Sequence, residues 1–158
     1  MNIDILCIGS IKEKYLREGI EEYAKRLRPY CRLKLWERPE EKIGLNPSRA
    51  EIDRALQKEA GDLVRFLPKQ SKPVSLCIEG DQLSSEDFSR QMEKWFVEGG
   101  GRISFIIGSS HGLSPEIKGL GARLSFSRMT YPHQLMRLIL LEQIYRAFRI
   151  SLNEPYHK

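Results

Sequence analysis

The sequence predicts an α/β fold, namely a mainly parallel sheet with helices on both faces. Short apolar runs alternate with segments of helical apolar spacing along the first two-thirds of the 158 residues, in the order β-α-β-α-β-α-β. Residues 103–107 are almost wholly apolar, which is typical of a strand in the middle of a sheet that is covered on both faces. With no internal repeat and no linker, we expect one domain spanning residues 1–158.

Each element up to residue 107 has a reason in the sequence. The strand segments are short apolar runs, and the second alternates apolar with polar residues, as edge strands do. The first helix stops before Pro29, Ser48 and Glu51 have the spacing of a capping box, and Ser84 caps the third helix. The predicted strands are therefore 2–9, 31–36, 73–79 and 103–107, and the predicted helices are 13–27, 48–66 and 84–97.

The remainder of the chain is dominated by residues 124–149. After a short helix that begins at Ser114, an apolar strand at 124–126 leads through a polar loop into a long helix. We expect Thr130 to be the N-cap of this helix and Pro132 to lie in its first turn. Apolar residues cover more than one face, so the helix is predicted to pack on its own sheet and on a second copy of the chain. A fully buried central helix in a monomer is the alternative.

Composition limits the class of protein. The net charge of +5 suits RNA or another polyanion, although many basic enzymes bind neither. Three cysteines without CxxC spacing are typical of buried thiols in a reducing compartment. We find no signal peptide and no apolar run of the roughly 20 residues that span a bilayer, so a cytoplasmic protein without membrane contact is expected. The histidines and cysteines do not have the spacing of a metal site.

Three loops follow the most apolar strands, at residues 79–80, 108–112 and 127–130. If those strands are neighbours, the loops converge on one crevice, where open α/β sheets bind small ligands. Gly108 and Gly112 allow a close approach of the backbone or a positive φ, although a plain tight turn is the alternative reading. Because GxGxxG, GxxxxGK[ST] and GxSxG motifs are absent, we expect backbone groups to surround a neutral or cationic ligand.

Four segments carry a specific resemblance. They are IGSSHGL at 107–113, LSFSRMTYPHQLMR at 124–137, EQIYRAF at 142–148 and PYHK at 155–158. They closely resemble the SPOUT superfamily, and within it the bacterial enzymes that methylate N3 of a pseudouridine in large-subunit ribosomal RNA. The resemblance implies a SPOUT-type α/β trefoil knot near the C-terminus and S-adenosyl-L-methionine bound in the knotted loops. It also implies a homodimer that pairs through the last helix and acts on assembled ribosomes.

The resemblance also assigns cofactor contacts by position. They are Leu76, Gly108, Ser127, Arg128, Met129, Thr130, Tyr131 and Pro132. The family often has two glycines where this chain has Gly108 and Ser109, and a Cβ at Ser109 disfavours positive φ. If the family needs that conformation, cofactor affinity is expected to suffer modestly. His111 is given no role.

Methylation of the imide nitrogen of pseudouridine displaces its proton, so the site needs a group that accepts one proton. His133, Tyr156 and His157 are the candidates, and in the family the tail completes the active site of the partner, at the dimer interface. The alternatives are that His133 merely caps or packs and that the tail is a frayed terminus. The residues predicted to contact RNA phosphates, or else to form a solvated face, are Arg128, Arg137, Arg146 and Lys158. Glu142 is expected to pair with one of these arginines.

Two functions of different classes follow. The first is an S-adenosylmethionine-dependent ribosomal RNA methyltransferase. The second is a non-catalytic module that binds the ribosome or RNA and has lost turnover. Residues 127–132 and the Tyr156-His157 pair match the enzyme pattern and favour the first, whereas Ser109 points weakly to the second.

Overall fold

In the computed structural model, whose description covers residues 1–156, five strands and five helices alternate along the chain. They are β1 (Asn2–Ile8), α1 (Lys14–Leu27), β2 (Arg32–Arg38), α2 (Arg49–Phe66), β3 (Lys72–Gln82), α3 (Ser85–Glu98), β4 (Arg102–Ile107), α4 (Pro115–Lys118), β5 (Ala122–Ser125) and α5 (His133–Ser151). Every predicted element is present. Ser48 and Glu51 form the predicted capping box, in which each side chain accepts a hydrogen bond from the backbone N–H of the other residue.

The five strands form one parallel sheet in the order β2-β1-β4-β3-β5. The apolar strand β4 is central and β2 lies at an edge, as predicted from their residue patterns. Helices cover both faces, which confirms the predicted fold class. The trefoil knot stays a prediction.

Two apolar cores lie on opposite faces of the sheet. On one face, α1, α3 and α5 cover alternate residues of β1, β4 and β3. On the other face, α2 and α4 cover the intervening residues of β1 and β4, among them Leu6 and Ile106. Cys7 and Cys31 are buried and Cys77 is half-buried, all as free thiols. None of the helices within residues 1–156 is both long and apolar enough to cross a membrane.

Strand β3 differs from its prediction at its C-terminal end. Residues 79–80 were expected to leave the sheet as a loop, but β3 continues to Gln82. Leu76 and Asp81 both pair with Leu124 of β5, so residues 77–80 form an irregularity between them. A Cβ at Gly80 would lie 2.6 Å from the backbone carbonyl carbon of Leu124, which means that only glycine fits there.

The start of α5 also differs from its prediction. The helix begins at His133, and Pro132 is the N-cap, with no hydrogen bond from a side chain. Thr130 therefore lies two residues outside the expected capping position. The preceding turn is held instead by Ser127, whose Oγ accepts a hydrogen bond from the Met129 N–H at 3.0 Å. The first amides of α5 are left without a side-chain acceptor.

Arg137, in the second turn of α5, joins the helix to the end of β1. Its side chain is 1% exposed. The guanidinium donates to the carbonyl oxygens of Ile8 and Gly9 at 3.1 and 2.7 Å, and to the Glu37 carboxylate at 2.7 Å. The buried part of α5 also includes Leu140, Leu141, Ile144, Ala147 and Phe148, so the helix packs on its own sheet as predicted. Packing on a second copy stays a prediction.

Replacing Arg137 with methionine should destabilise the fold substantially. Arg137→Met leaves the Ile8 and Gly9 carbonyl groups without this donor, so we expect a loss of about 2–4 kcal/mol in the free energy of unfolding. Urea denaturation measures the loss. The matched control is Arg90→Met, which removes an exposed arginine paired with Asp87 and should cost under about 1 kcal/mol. Equal losses in both variants would contradict a structural role for Arg137.

Candidate functional site

A cavity of about 820 Å³ opens at the C-terminal ends of β3, β4 and β5. These strands are neighbours, so the three predicted loops do converge. The volume lies in the range of small-molecule binding pockets. The walls come from the segments 76–79, 107–113, 124–127 and 129–133, together with Lys118 and Met136.

Most of the residues assigned to cofactor binding by resemblance line this cavity. They are Leu76, Gly108, Ser127, Met129, Thr130, Tyr131 and Pro132. Arg128 is exposed and is not among the lining residues in the described part of the chain. The loops therefore bring seven of the eight assigned residues to one place, and contact with a cofactor stays a prediction.

Two glycines shape the loop after β4. A Cβ at Gly108 would lie 2.1 Å from the carbonyl oxygen of Gly112, so any other residue would displace the backbone. Gly112 has φ +85°, which favours glycine. Both properties expected of these residues are present, and the closely folded loop leaves backbone groups along the cavity wall.

Ser109 does not have a positive φ, so its Cβ does not strain the backbone. Within residues 1–156, Asn153 alone among the non-glycine residues has a positive φ. Ser109 is buried, and its Oγ donates to the Glu59 carboxylate at 2.9 Å. The structure therefore gives no reason to expect that the Cβ of Ser109 weakens cofactor binding.

The cavity lining carries little net charge. Glu79 and Lys118 form an ion pair, and the hydrogen bond from Lys118 holds the pKa of the Glu79 carboxyl below its usual range. The other titratable lining groups with a described environment include His111, His133 and Tyr131. The polar part of the lining is therefore chiefly backbone and hydroxyl groups, which agrees with a neutral or cationic ligand. No three His, Cys, Asp or Glu residues within 1–156 are grouped as metal ligands.

His133 lies between the cavity and the end of β1. Its Nε2 is 3.1 Å from the position that a Cβ on Gly9 would occupy. Burial lowers the pKa of the imidazole, the nearby charge of Glu40 opposes that shift, and the charges of Arg137 and Lys12 add to it. The lowered pKa favours the neutral form of the imidazole, whose free ring nitrogen can accept a proton.

Tyr156 packs against the middle of α5. Its hydroxyl donates to Glu142 at 3.2 Å, and its ring packs edge-on against Tyr145 with centroids 4.9 Å apart. Burial, the hydrogen bond with Tyr23 and the Glu142 charge raise the pKa of the Tyr156 phenol. A phenol that holds its proton this firmly suits anchoring rather than proton acceptance. His157 lies outside the described residues.

The arginines predicted to meet RNA fall on different surfaces. Arg128 is exposed, and Arg146 donates to Glu142 at 2.6 Å and lies over the Tyr156 ring. The prediction that Glu142 pairs with an arginine is confirmed. Arg137 is buried in its network with Glu37, Ile8 and Gly9, and this position corrects the expectation of a phosphate contact. Lys158 lies outside the described residues.

Sequence reasoning missed two carboxylates behind the cavity, Glu40 and Glu59. Glu40 accepts hydrogen bonds from the N–H and Oγ of Ser110, at 3.3 and 2.8 Å. Glu59 is 5% exposed and accepts from Ser109. A signal for Glu59 was present, because it lies four residues from both Ala55 and Leu63 on the apolar stripe of α2.

The chain is similar to known proteins along its whole length. Residues 1–157 match the family model described as "Predicted SPOUT methyltransferase". The chain is 50% identical to a protein of Clostridioides difficile named ribosomal RNA large subunit methyltransferase H, over 159 aligned residues that cover all of both chains. It is 48% identical, again over the full length of both, to proteins of the same name from Bacillus cereus and Bacillus anthracis.

The environment of His133 makes a prediction about its titration. NMR of the imidazole should give a pKa below the usual value of about 6.5. Glu40→Gln should lower the pKa further, because the Glu40 charge raises it in the native protein. Since the folded chain binds this proton less readily than the unfolded chain, the same group should reduce stability as the pH falls below about 6.5.

The control for this titration is Asp53→Asn, which removes an exposed carboxylate on α2 that pairs with Arg49. It should leave the pKa of His133 unchanged. A His133 pKa above 6.5, or one that does not respond to Glu40→Gln, would contradict the described environment.

Proposed function

Since the chain belongs to the SPOUT methyltransferase family, we propose that it methylates N3 of a pseudouridine in the RNA of the large ribosomal subunit, using S-adenosyl-L-methionine. The names of its full-length relatives support a ribosomal RNA substrate. The observation that carries the proposal is the convergence of seven family-assigned residues on one cavity at the ends of β3, β4 and β5.

The cavity fits the chemistry of this cofactor. Its closely folded Gly108–Gly112 wall has no room for a side chain at Gly108, and its apolar walls suit the adenine ring and the aliphatic part of the methionine chain. Leu76, Gly108 and Thr130 are among the residues that would hold it. When bound, S-adenosylmethionine supplies an activated methyl group, so the protein needs chiefly to orient the acceptor and to manage one proton.

His133 is the described residue best suited to take that proton. It lines the cavity, and its lowered pKa leaves a ring nitrogen able to accept at neutral pH. Tyr156 keeps its own proton, so we propose that it anchors the end of the chain and that His157 is the second candidate for taking the substrate proton.

We propose that the active site is completed by a second copy of the chain. Tyr156 packs against residues 142–146, roughly 14–20 Å along the α5 axis from His133 at the cavity. Within one chain Tyr156 is therefore remote from the cavity, and we propose a homodimer in which the C-terminal residues of one protomer complete the cavity of its partner, giving two composite active sites.

The substrate is proposed to be the assembled ribosome rather than free RNA. The net charge of +5 and the exposed Arg128 beside the cavity provide attraction for phosphates but little sequence specificity. A shaped, preassembled surface would supply that specificity. An enzyme with such a substrate works in the cytoplasm, where ribosomes are.

Methyl transfer is the direct test of this function. Labelled S-adenosylmethionine should transfer one methyl group to ribosomes that lack the modification, and much less to free large-subunit RNA. Gly108→Ala should abolish cofactor binding and transfer, because its Cβ would collide with the Gly112 carbonyl. Gly44→Ala, which meets nothing within 4 Å, is the matched control. A dimer that binds ribosomes without binding the cofactor would instead support a non-catalytic module.

Mixed dimers test the composite site. We would co-express Gly108→Ala with the double variant Tyr156→Ala/His157→Ala, using two tags to isolate dimers that contain one copy of each. Each variant alone should be inactive, whereas the mixed dimer should regain roughly half of the wild-type rate, because one of its two sites is intact. Isolated mixed dimers without activity would argue that each cavity works with its own tail.

A further inference from the structure

Two consecutive serines fasten the loop after β4 to carboxylates behind the cavity. Ser109 Oγ donates to Glu59 Oε2 at 2.9 Å, and Ser110 Oγ donates to Glu40 Oε1 at 2.8 Å. Both serines belong to the cavity lining, while neither carboxylate appears among the lining residues of the described chain. The loop is thus held from its outer side.

Glu59 joins three parts of the molecule. It lies on α2, its Oε2 accepts from Ser109, and its Oε1 accepts from the Glu41 N–H at 3.0 Å. Glu41 belongs to the segment that follows β2, so one buried carboxylate connects α2, that segment and the cavity loop. Burial raises the pKa of Glu59, which reflects the cost of a charge in this place. A carboxylate kept there despite that cost has both oxygens engaged.

The position of Ser109 fixes the rest of the loop. The Gly112 N–H donates to the Ser109 carbonyl oxygen at 2.9 Å, which closes the loop as an isolated bridge. The Gly112 carbonyl oxygen in turn lies where it blocks any Cβ on Gly108. A shift of Ser109 would therefore move both glycines that form this wall of the cavity.

We propose that Glu59 is a positioning residue that holds the cofactor loop in its binding conformation through the hydroxyl of Ser109. This inference rests on the proposed function, because the ligand of the loop is taken to be S-adenosylmethionine. Glu59 acts on the cofactor through Ser109, Gly112 and Gly108 and does not touch the ligand itself.

On this proposal Ser109 strengthens cofactor binding. The comparison with the glycine that the family often has at this position predicted the opposite. Glycine at this position would remove the hydroxyl and widen the backbone freedom of a loop that must be ordered on binding. Serine keeps the loop ordered before the cofactor arrives, and preordering favours affinity. Ser109→Gly should therefore weaken cofactor binding in this chain.

The test measures cofactor affinity and loop order separately. Ser109→Ala, Ser109→Gly and Glu59→Ala should each raise the Kd for S-adenosylmethionine in calorimetry by roughly three- to tenfold. In the cofactor-free protein, hydrogen exchange of the Gly112 amide should become faster in the same variants. Glu59→Gln retains an acceptor oxygen for one partner and should recover part of the lost affinity. The Kd of the double variant Ser109→Ala/Glu59→Ala should be no higher than that of whichever single variant binds S-adenosylmethionine more weakly.

The matched control is Ser89→Ala. Ser89 is a buried serine of α3 whose Oγ donates to the Ala147 carbonyl oxygen at 2.8 Å, so its removal costs a comparable buried hydrogen bond away from the loop. It should lower thermal stability about as much as Ser109→Ala while leaving the Kd and the Gly112 exchange rate unchanged.

Three outcomes are distinguishable. Equal losses of stability in Ser89→Ala and Ser109→Ala with an unchanged Kd in both would overturn the inference and leave Glu59 with a purely structural role. Additive losses of affinity in the double variant would also overturn it, since the two residues would then act separately. A wild-type protein that fails to bind S-adenosylmethionine would instead refute the proposed function, and the exchange of Gly112 would still report whether Glu59 orders the loop.

Discussion

The buried guanidinium of Arg137 is the interaction on which the placement of the site depends. It reaches from the second turn of α5 to the last carbonyl groups of β1, which is a neighbour of the central strand. The carbonyl groups of Ile8 and Gly9 lie where β1 leaves the sheet, and buried carbonyl groups need hydrogen-bond donors. Arg137 supplies them and thereby fixes the start of α5 beside the ends of β4 and β3. Pro132 and His133 form part of the cavity wall at the end of the helix that Arg137 holds.

One helix therefore carries both halves of the proposed active site. Its N-terminal end borders the cavity, and its C-terminal half holds Tyr156 through Glu142, Tyr145 and Arg146. A rigid helix of 19 residues, about 28 Å long, keeps these two parts separate within one chain. In the proposed dimer, a twofold axis perpendicular to such a helix would pair two copies of α5 antiparallel and bring the tail of each chain towards the cavity of the other. Such a dimer would explain both the length of α5 and the predicted apolar residues on several of its faces.

The sequence predicted the sheet better than the polar network behind the site. β4 was identified as the central strand because its residues are apolar on both faces, and a local pattern suffices for that. The irregularity at residues 77–80 depends on pairing with β5, about 45 residues later, which no local pattern contains. Arg137 and Arg146 were read as one basic face, although nine residues at 100° each place them on opposite sides of a helix. Glu59 was passed over because a carboxylate within an apolar stripe looks like an exception until its partners, Ser109 and Glu41, are known.

The arrangement of carboxylates explains how a nearly uncharged cavity can suit a cationic cofactor. A free carboxylate beside a sulfonium would attract it strongly, but it would also be a competing acceptor for the methyl group. Glu79 is neutralised by Lys118, and Glu40 and Glu59 face away from the cavity and bind Ser110 and Ser109. If S-adenosylmethionine binds as proposed, backbone carbonyl groups of the loop that Ser109 and Ser110 fasten would attract the cation through fixed dipoles, which are poor nucleophiles. In this proposal the acidic residues act on the cavity by ordering its wall, and their charge stays outside the space where the methyl group would be transferred.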